Sequence, residues 1–352
     1  MSEVDEEGTR RSPAEVVLSV GNGYSAVLLA LFAVALAVPP LVFLDEGFYM
    51  TVMTEMFLFG VLALSWDLVG GQTGYPSFGN MAFFGVGAYT TGILWTEFGV
   101  AYPAALLAAG VFAVVFAAII GLAVLRLRGH YFAIATLGVL LASIQLSRYL
   151  EITGGSSGKV LLGGPSGEVF YYVFLAILIV EMAVVRYLSG TRFGFVLNAI
   201  RDDERKATAM GVDTTYYKTA AWTLAAFFTG LAGGAYGAFN TFIDPQTAYN
   251  LAWNVELIAM ALLGGTGTVA GPVVGAFGLH LAIVEIDSLF SGWQLMILGS
   301  VVIVTVVAFP NGVVGTLRQR ANAMEYYKFG GGAAGESSPS AASSTDGTEG
   351  SE

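Results

Sequence analysis

Side chains that can do chemistry are scarce in this chain. It has no cysteine and two histidines, His130 and His280, among 352 residues. Disulfides, thiolate zinc sites and cysteine nucleophiles are therefore excluded, and a histidine-rich metal site cannot form. His280 stands alone in an apolar stretch, which indicates packing. The sequence offers no dyad or cluster suited to hydrolysis, so we expect no catalytic residues, no bound metal and no enzyme activity.

Residues 154–160, with the sequence GGSSGKV, superficially resemble a phosphate-binding loop. That motif requires a glycine five residues before its second glycine, and Ser or Thr directly after the lysine to bind magnesium. Thr153 and Val160 occupy these two positions. We therefore interpret the segment as a flexible loop and expect no nucleotide to bind there.

Two carboxylates interrupt apolar stretches, Glu55 in 49–66 and Glu181 in 169–185. An ionisable residue at membrane depth costs roughly 2.5–3.5 kcal/mol on insertion scales, so each is a functional candidate. Glu55 either lines a pathway or is a protonated or hydrogen-bonded packing residue. Glu181 precedes Arg186 by five residues, and we expect it to reach the membrane interface in a structural role.

Residues 70–80, with the sequence GGQTGYPSFGN, join two apolar stretches by a polar, irregular segment. Irregular backbone at membrane depth is tolerated only where it is buried in protein or lines a wet cavity. The segment therefore predicts that Tyr75, Ser77 and Asn80 line a pathway.

Residues 192–213 form the densest mixed-charge region of the chain. Phe193, Val196 and Ile200 share one helical face, six charges of both signs follow, and Gly211 provides a helix stop. Such a helix is suited to a groove in a soluble partner; the alternative is an interfacial helix that lies on lipid. The predicted contact residues are Phe193, Val196, Ile200, Arg201, Asp202, Glu204, Arg205, Met210 and Gly211.

The composition assigns these segments to a membrane protein. Hydrophobic residues make up 55% and charged residues 12%, and a soluble chain needs about twice that charge. Because a spanning helix takes ~20 apolar residues, we predict an all-α polytopic membrane helix bundle of about ten spans. The count falls to eight or nine spans if the stretches that contain Glu55 and Glu181 do not each form a span of their own. The predicted spans are 25–44, 49–66, 78–96, 98–124, 131–147, 169–185, 219–243, a pair within about 253–284, and 288–309.

The distribution of basic residues predicts the orientation. With ten spans and both termini in the cytoplasm, 13 of the 15 Lys and Arg residues lie inside, and only Arg148 and Lys159 lie outside. This agrees with the positive-inside rule. An eight-span arrangement that removes two adjacent spans keeps the same direction. We therefore predict a multi-pass protein of the cell membrane.

The chain ends differ from its apolar middle. Residues 1–20 and 319–352 are predicted to be disordered acidic cytoplasmic tails, the second rich in Gly and Ser, around a membrane domain at 21–318. The N-terminal stretch lacks the basic region of a signal peptide. Within the membrane domain, glycines recur every four residues at 230/234, 233/237 and 267/271/275, which predicts close helix packing.

Several of these segments together resemble the LivM-type permease subunits of branched-chain amino acid ABC importers. The likeness covers about residues 45–318. Pro76, Lys159 and Val160 depart from the family pattern. The stretches that carry the resemblance are 74–89, 126–137, 153–158, 192–213, 228–234 and 263–272.

The resemblance implies a permease architecture like that of vitamin B12 importers and a path for leucine, isoleucine and valine. It implies two cytoplasmic ATPase subunits that bind ATP and Mg, an extracytoplasmic substrate-binding protein, and a second, LivH-like permease that is a homologue or a copy. Residues 193–211 would be the coupling helix that seats in an ATPase. The chain itself would need a lipid membrane but no cofactor and no nucleic acid.

Two other functions stay open from the sequence. One is an importer for urea, short amides or another small polar solute. The other is an ion-coupled secondary transporter in which Glu55 is the proton or sodium site.

Overall fold

The computed structural model describes residues 47–161 and 164–289, together with three single positions, 296, 299 and 300. The predicted span at 25–44, nearly all of the one at 288–309 and both predicted tails lie outside the described residues. The described helices and strands are α1 (Gly47–Thr73), α2 (Asn80–Thr96), α3 (Tyr102–Val124), α4 (His130–Tyr149), β1 (Lys159–Val160), α5 (Gly167–Ser189), α6 (Arg192–Ala209), α7 (Thr214–Phe239), β2 (Phe242–Ile243), α8 (Pro245–Ala248), α9 (Leu251–Gly264) and α10 (Ala270–Leu289).

Each predicted span within the described residues coincides with one helix, from α1 to α5 and then α7, α9 and α10. The two stretches whose independence was left open, 49–66 and 169–185, form the separate helices α1 and α5. By length and composition, α1, α3, α4 and α5 are able to cross a membrane. The described part of the chain is therefore a helical membrane protein, as predicted.

Helix α3 shows how the bundle sorts its side chains. Ala105, Ala109, Ala113 and Ala117 recur every four residues and are fully buried, whereas large side chains such as Ile119 are exposed. This reverses the pattern of a soluble helix, because lipid solvates large apolar groups and small residues let helices approach each other.

The predicted glycine face of α7 packs against α2. A Cβ at Gly233 would overlap the carbonyl of Phe84, and a Cβ at Gly87 on α2 would overlap the carbonyl of Gly230. A side chain at these positions would therefore force α2 and α7 apart. The prediction of close packing is confirmed for this pair of helices.

Helices α9 and α10 form the predicted hairpin. A Cβ at Gly264 would overlap the carbonyl of Gly271, and one at Gly275 would overlap the carbonyl of Met260. Gly267 does not share this face: it lies in the turn, with a φ of 76°. Glycine is favoured there because L side chains rarely adopt that conformation.

Helices α2 and α9 are short, about 25 Å and about 21 Å at 1.5 Å per residue, and both begin inside the bundle. The backbone N–H of Met81 donates to Asn254 Oδ1 (3.4 Å), and that of Phe78 donates to Thr136 Oγ1 (3.0 Å). The irregular segment before α2 is only partly buried in protein, because Gly74 and Pro76 are exposed. Residues 70–73, which were predicted to belong to it, continue helix α1.

The segment at 154–160 is not a phosphate-binding loop. Gly155–Ser157 is a 3₁₀ turn, and Lys159 begins strand β1, which pairs antiparallel with β2. In a phosphate-binding loop the lysine opens an α-helix instead. Lys159 Nζ bonds the Glu97 carboxylate at 2.6 Å.

Candidate functional site

Helix α6 is bent where a single helix was predicted. Asp203 has extended backbone angles (φ −163°, ψ 102°). Its carboxylate accepts hydrogen bonds from the backbone N–H groups of Arg205 (2.9 Å) and Lys206 (3.1 Å). The bond from Lys206 holds the pKa of Asp203 below its usual value. Aspartate thus caps a second helical piece, which ends before Gly211 at a φ of 85°, as predicted.

The two faces of α6 have different surroundings. Gly194, Leu197, Ile200 and Ala207 are buried against the bundle, so Ile200 supports the segment from inside. Phe193 and Val196 are half-buried, and the ring of Phe193 lies 5.6 Å from that of Tyr217. The apolar edge predicted to enter a partner therefore faces largely inwards.

The other face of α6 is open to solvent. Phe195 is 67% exposed and Met210 85% exposed. Asp202, Arg205 and Lys206, which lie between them, are also exposed, as is Gly211 directly after Met210. We call Phe195, Asp202, Arg205, Lys206 and Met210 the free face of α6.

Glu204 fastens α6 to the bundle. Its carboxylate accepts hydrogen bonds from Lys218 Nζ (2.6 Å), from Thr214 Oγ1 (3.1 Å) and from the Tyr75 hydroxyl. Arg128 Nε lies 3.5 Å from the same carboxylate. We call Glu204, Lys218, Thr214, Tyr75 and Arg128 the Glu204 network. It joins α6 to α7 and to the loops that precede α2 and α4.

The charges of the Glu204 network reinforce one another. Partial burial disfavours the ionised Glu204, but the bonds from Lys218 and Tyr75 outweigh it, so the pKa of Glu204 lies below its usual value. Burial and the neighbouring carboxylate raise the pKa of Tyr75, which keeps its hydroxyl a donor. The Lys218 side chain is only 4% exposed, and its Nζ lies 4.5 Å from the centre of the Tyr75 ring. Tyr75, predicted to line a pathway, thus contacts the charged segment.

Arg201 makes a second connection to the bundle. One of its terminal nitrogens donates to the carbonyl of Gly71 at 3.3 Å and lies beside Gly267 in the α9–α10 turn. The fully buried carboxylate of Asp67 accepts the backbone N–H of Gly267 at 2.9 and 3.1 Å. Through these contacts α6 touches the end of α1 and the turn between α9 and α10.

Ser77 and Asn80 are buried beside the start of α2. Ser77 Oγ accepts the N–H of Gly79 (3.1 Å), and its carbonyl accepts the indole N–H of Trp66 (2.8 Å). Asn80 is 1% exposed, and its amide nitrogen has no hydrogen-bond partner among the described residues. Ser77 therefore holds the loop in place, whereas Asn80 keeps unused hydrogen-bonding capacity.

A comparison with known families settles the class of the chain. Residues 48–306 match the family described as "Branched-chain amino acid transport system / permease component". The chain belongs to this permease family.

Curated relatives of the permease agree with this assignment. LivM, a high-affinity branched-chain amino acid transport system permease protein of Salmonella typhimurium, is 28% identical over 82% of this chain and 74% of its own length. LivH of Escherichia coli, from the same kind of system, is 24% identical over 73% and 91%. LsrC, an autoinducer 2 import system permease protein of Salmonella paratyphi B, is 28% identical over 56% and 59%. No solved structure matches the chain significantly.

Glu55 lies away from the charged segment of the permease, towards the other end of α1. Its Oε2 is 3.4 Å from Nε2 of His280, which is 5% exposed. The expectation that Glu181 reaches the membrane interface is wrong. Glu181 is fully buried and accepts a hydrogen bond from Ser65 Oγ at 2.6 Å.

Sequence reasoning missed three ionisable residues of the permease: Asp67, Lys218 and Glu256. Glu256 is 3% exposed, Lys218 4% and Asp67 fully buried. A signal was present for Glu256, which lies inside a largely apolar helix, where an ionisable group is a candidate by default. Lys218 follows the polar run 214–217 at the start of α7, and Asp67 lies one residue beyond the predicted span 49–66, so neither was indicated in this way.

Proposed function

We propose that this permease is the membrane subunit of an ATP-driven importer for branched-chain amino acids. Leucine, isoleucine or valine would arrive from an extracytoplasmic binding protein and pass through the bundle. The observation that carries the proposal is α6, whose free face is open to solvent while its other face and the Glu204 network are fixed to the bundle.

The distribution of Lys and Arg supports placing α6 and both chain termini in the cytoplasm. There the free face of α6 would dock into an ATPase subunit, with Phe195 and Met210 as apolar anchors among charges of both signs. The permease would work with two such subunits, which supply the ATP and Mg²⁺ sites and perform the hydrolysis.

Movement of α6 would reach the path along two routes. The Glu204 network passes it to α7 and to the loop before α2, through Lys218 and Tyr75. Arg201 passes it to the end of α1 and to the α9–α10 turn. Since α2 and α9 both begin inside the bundle, displacement of their ends would open or close a path between them. Glu55 and Asn80 remain our candidates for its lining.

A second permease would complete the path. The similarity to both LivM and LivH supports a paired arrangement in which this chain faces a LivH-like partner. The vitamin B12-importer-like architecture and the ten-span count belong to the same proposal.

Two other candidates make different predictions. The likeness to LsrC, whose name gives a different cargo, keeps open a small polar solute such as urea or a short amide. An ion-coupled secondary transporter would use the contact between Glu55 and His280 as its ion site.

Co-purification and reconstitution test the proposal. The tagged permease, isolated from its native membrane, should bring two ATPase subunits and a second permease with it. In vesicles, leucine uptake should require both ATP and the binding protein. Uptake driven by an ion gradient without ATPase subunits would refute the importer. A binding protein that selects another solute would change only the proposed substrate.

A further inference from the structure

A second group of ionisable side chains lies apart from the Glu204 network. Glu55 on α1 lies beside His280 on α10. Phe59, one turn along α1 from Glu55, packs against the rings of His280 and of Trp253, which lies one turn before Glu256 on α9. Glu55 and Glu256 are thereby close enough to interact electrostatically. We call Glu55, Glu256 and His280 the acidic cluster. Three helices contribute to it, so their relative movement changes its shape.

The histidine of this cluster has unused hydrogen-bonding capacity. His280 is 5% exposed, and neither of its ring nitrogens makes a hydrogen bond with any residue that the structure describes. Its Nε2 lies 3.4 Å from Glu55 Oε2, within ion-pair distance but without hydrogen-bond geometry. A buried polar group without a partner is destabilising. The imidazole therefore lies beside the Glu55 carboxylate and still lacks a hydrogen-bond partner among the described residues.

The two carboxylates of the cluster differ in exposure. Glu256 is 3% exposed, whereas the Glu55 side chain is 34% exposed. The structure gives neither carboxylate a Lys or Arg partner among the described residues. Two carboxyl groups at membrane depth without a protein cation favour a cation from outside.

A chain of aromatic rings begins beside His280. The ring of Phe59 lies 4.9 Å from that of His280 and 5.3 Å from that of Trp253, and the Tyr236 ring lies 5.1 Å from Trp253. Aromatic faces attract cations, and they also tolerate the aliphatic side chain of an amino acid. The surroundings thus suit a cation that carries an apolar group.

The geometry favours an ammonium group over a metal ion. The described side chains form no group of three His, Cys, Asp or Glu residues close enough to hold one metal. An ammonium nitrogen holds its acceptors at about 2.8 Å, against about 2.1 Å for a metal, so it accepts a wider spacing. Its three N–H donors match two carboxyl groups and one imidazole nitrogen.

We propose that Glu55, Glu256 and His280 form a subsite of the permease that holds the ammonium group of the transported amino acid. The subsite rests on the proposed function, since it assigns one part of that cargo to named side chains. It gives the permease its own preference for amino acids after the binding protein has released them.

Ligand binding to the permease in lipid nanodiscs, without binding protein, tests the subsite. L-leucinamide keeps the ammonium group and lacks the carboxylate, whereas 2-hydroxy-4-methylpentanoate keeps the carboxylate and has a hydroxyl for the amine. Wild-type permease should bind leucinamide, and Glu256→Gln and Glu55→Gln should each weaken that binding at least tenfold. Binding of the hydroxy acid should be the same in all three.

Glu181→Gln is the matched control, because Glu181 is buried like Glu256 but lies on α5 beside Ser65. It should bind leucinamide as the wild type does. Equal leucinamide binding in wild type, Glu55→Gln and Glu256→Gln would overturn the subsite. So would sodium binding that Glu256→Gln abolishes while leucinamide binding persists.

The complete transporter separates this proposal from the importer itself. Glu256→Gln should still co-purify with ATPase subunits and keep the wild-type melting temperature, while ATP-driven leucine uptake falls at least tenfold. Unchanged uptake in an intact complex overturns the subsite and leaves the importer standing. Loss of ATPase co-purification already in the wild type counts against the importer and not against leucinamide binding.

Discussion

The Glu204 network and the acidic cluster place carboxylates in the same bundle in opposite ways. Glu204 receives hydrogen bonds from Lys218, Thr214 and Tyr75. Glu55 in the acidic cluster is approached by His280, whose ring nitrogens make no hydrogen bond within the described part of the chain. A satisfied network fixes one geometry, whereas unused donors and acceptors leave a place for a ligand.

The comparison assigns different roles to the two groups. The Glu204 network can transmit movement of α6 because its short hydrogen bonds keep its residues together. A transport subsite must release its cargo, and side chains that lack hydrogen-bond partners within the protein can bind a ligand and let it go. Four predictions test this division.

The largest effect on stability should come from Lys218→Met. It leaves the Glu204 carboxylate without its main cation in a largely buried place, and breaking such a pair costs about 3–5 kcal/mol. The free energy of unfolding in mixed micelles measures the loss. Glu204→Gln together with Lys218→Met should recover part of it, and a double variant as unstable as Lys218→Met alone would contradict the network.

The free face of α6 should control ATPase binding without affecting stability. Phe195→Ser, Arg205→Glu and Met210→Ser combined should reduce co-purified ATPase at least tenfold at an unchanged melting temperature. Arg201 is left intact because it also contacts Gly71. Arg148→Glu is the control, because it makes the same change of charge in the last turn of α4, away from α6. Wild-type yields of ATPase from the triple variant would remove α6 as the docking helix.

Much of the fold was predictable because spanning helices need long apolar runs. The stretches 98–124 and 169–185 locate α3 and α5 to within a few residues. The amphipathic pattern of 192–213 likewise located α6, and Gly211 its end. These features are local, so the sequence around each one is sufficient to indicate it.

The candidate site was only partly predictable, because its contacts join distant residues. Asp67 and Gly267 are 200 positions apart, and Tyr75 and Glu204 are 129 apart. No local pattern indicates such a pair. The bend at Asp203 was missed for another reason. Aspartate favours a helix start because its carboxylate accepts hydrogen bonds from backbone N–H groups that follow it. Asp203 lies within a run of six charged residues, and we interpreted that run as the charged face of one continuous helix.

The pH dependence of stability should follow Glu204. Because its pKa is lower in the folded protein, its stabilising contribution is complete above the unfolded pKa of about 4.3. That contribution is lost as the pH falls through the lower, folded value. Melting temperatures from pH 7 to pH 3 should therefore fall less steeply in Glu204→Gln than in the wild type. Parallel curves would contradict an ionised, bonded Glu204.

The smallest effect on stability should come from His280→Gln. His280 makes no hydrogen bond with the described residues, so the change removes mainly its ring contact with Phe59 at 4.9 Å, worth about 0.5–1.5 kcal/mol. Lys218→Met, at a residue of equal burial, should cost several times more in the same unfolding measurement. Leucinamide binding should nevertheless weaken in His280→Gln. If His280→Gln strongly lowered the free energy of unfolding and left leucinamide binding unchanged, the acidic cluster would be a structural ion pair. It would then resemble the Glu204 network and would not differ from it in function.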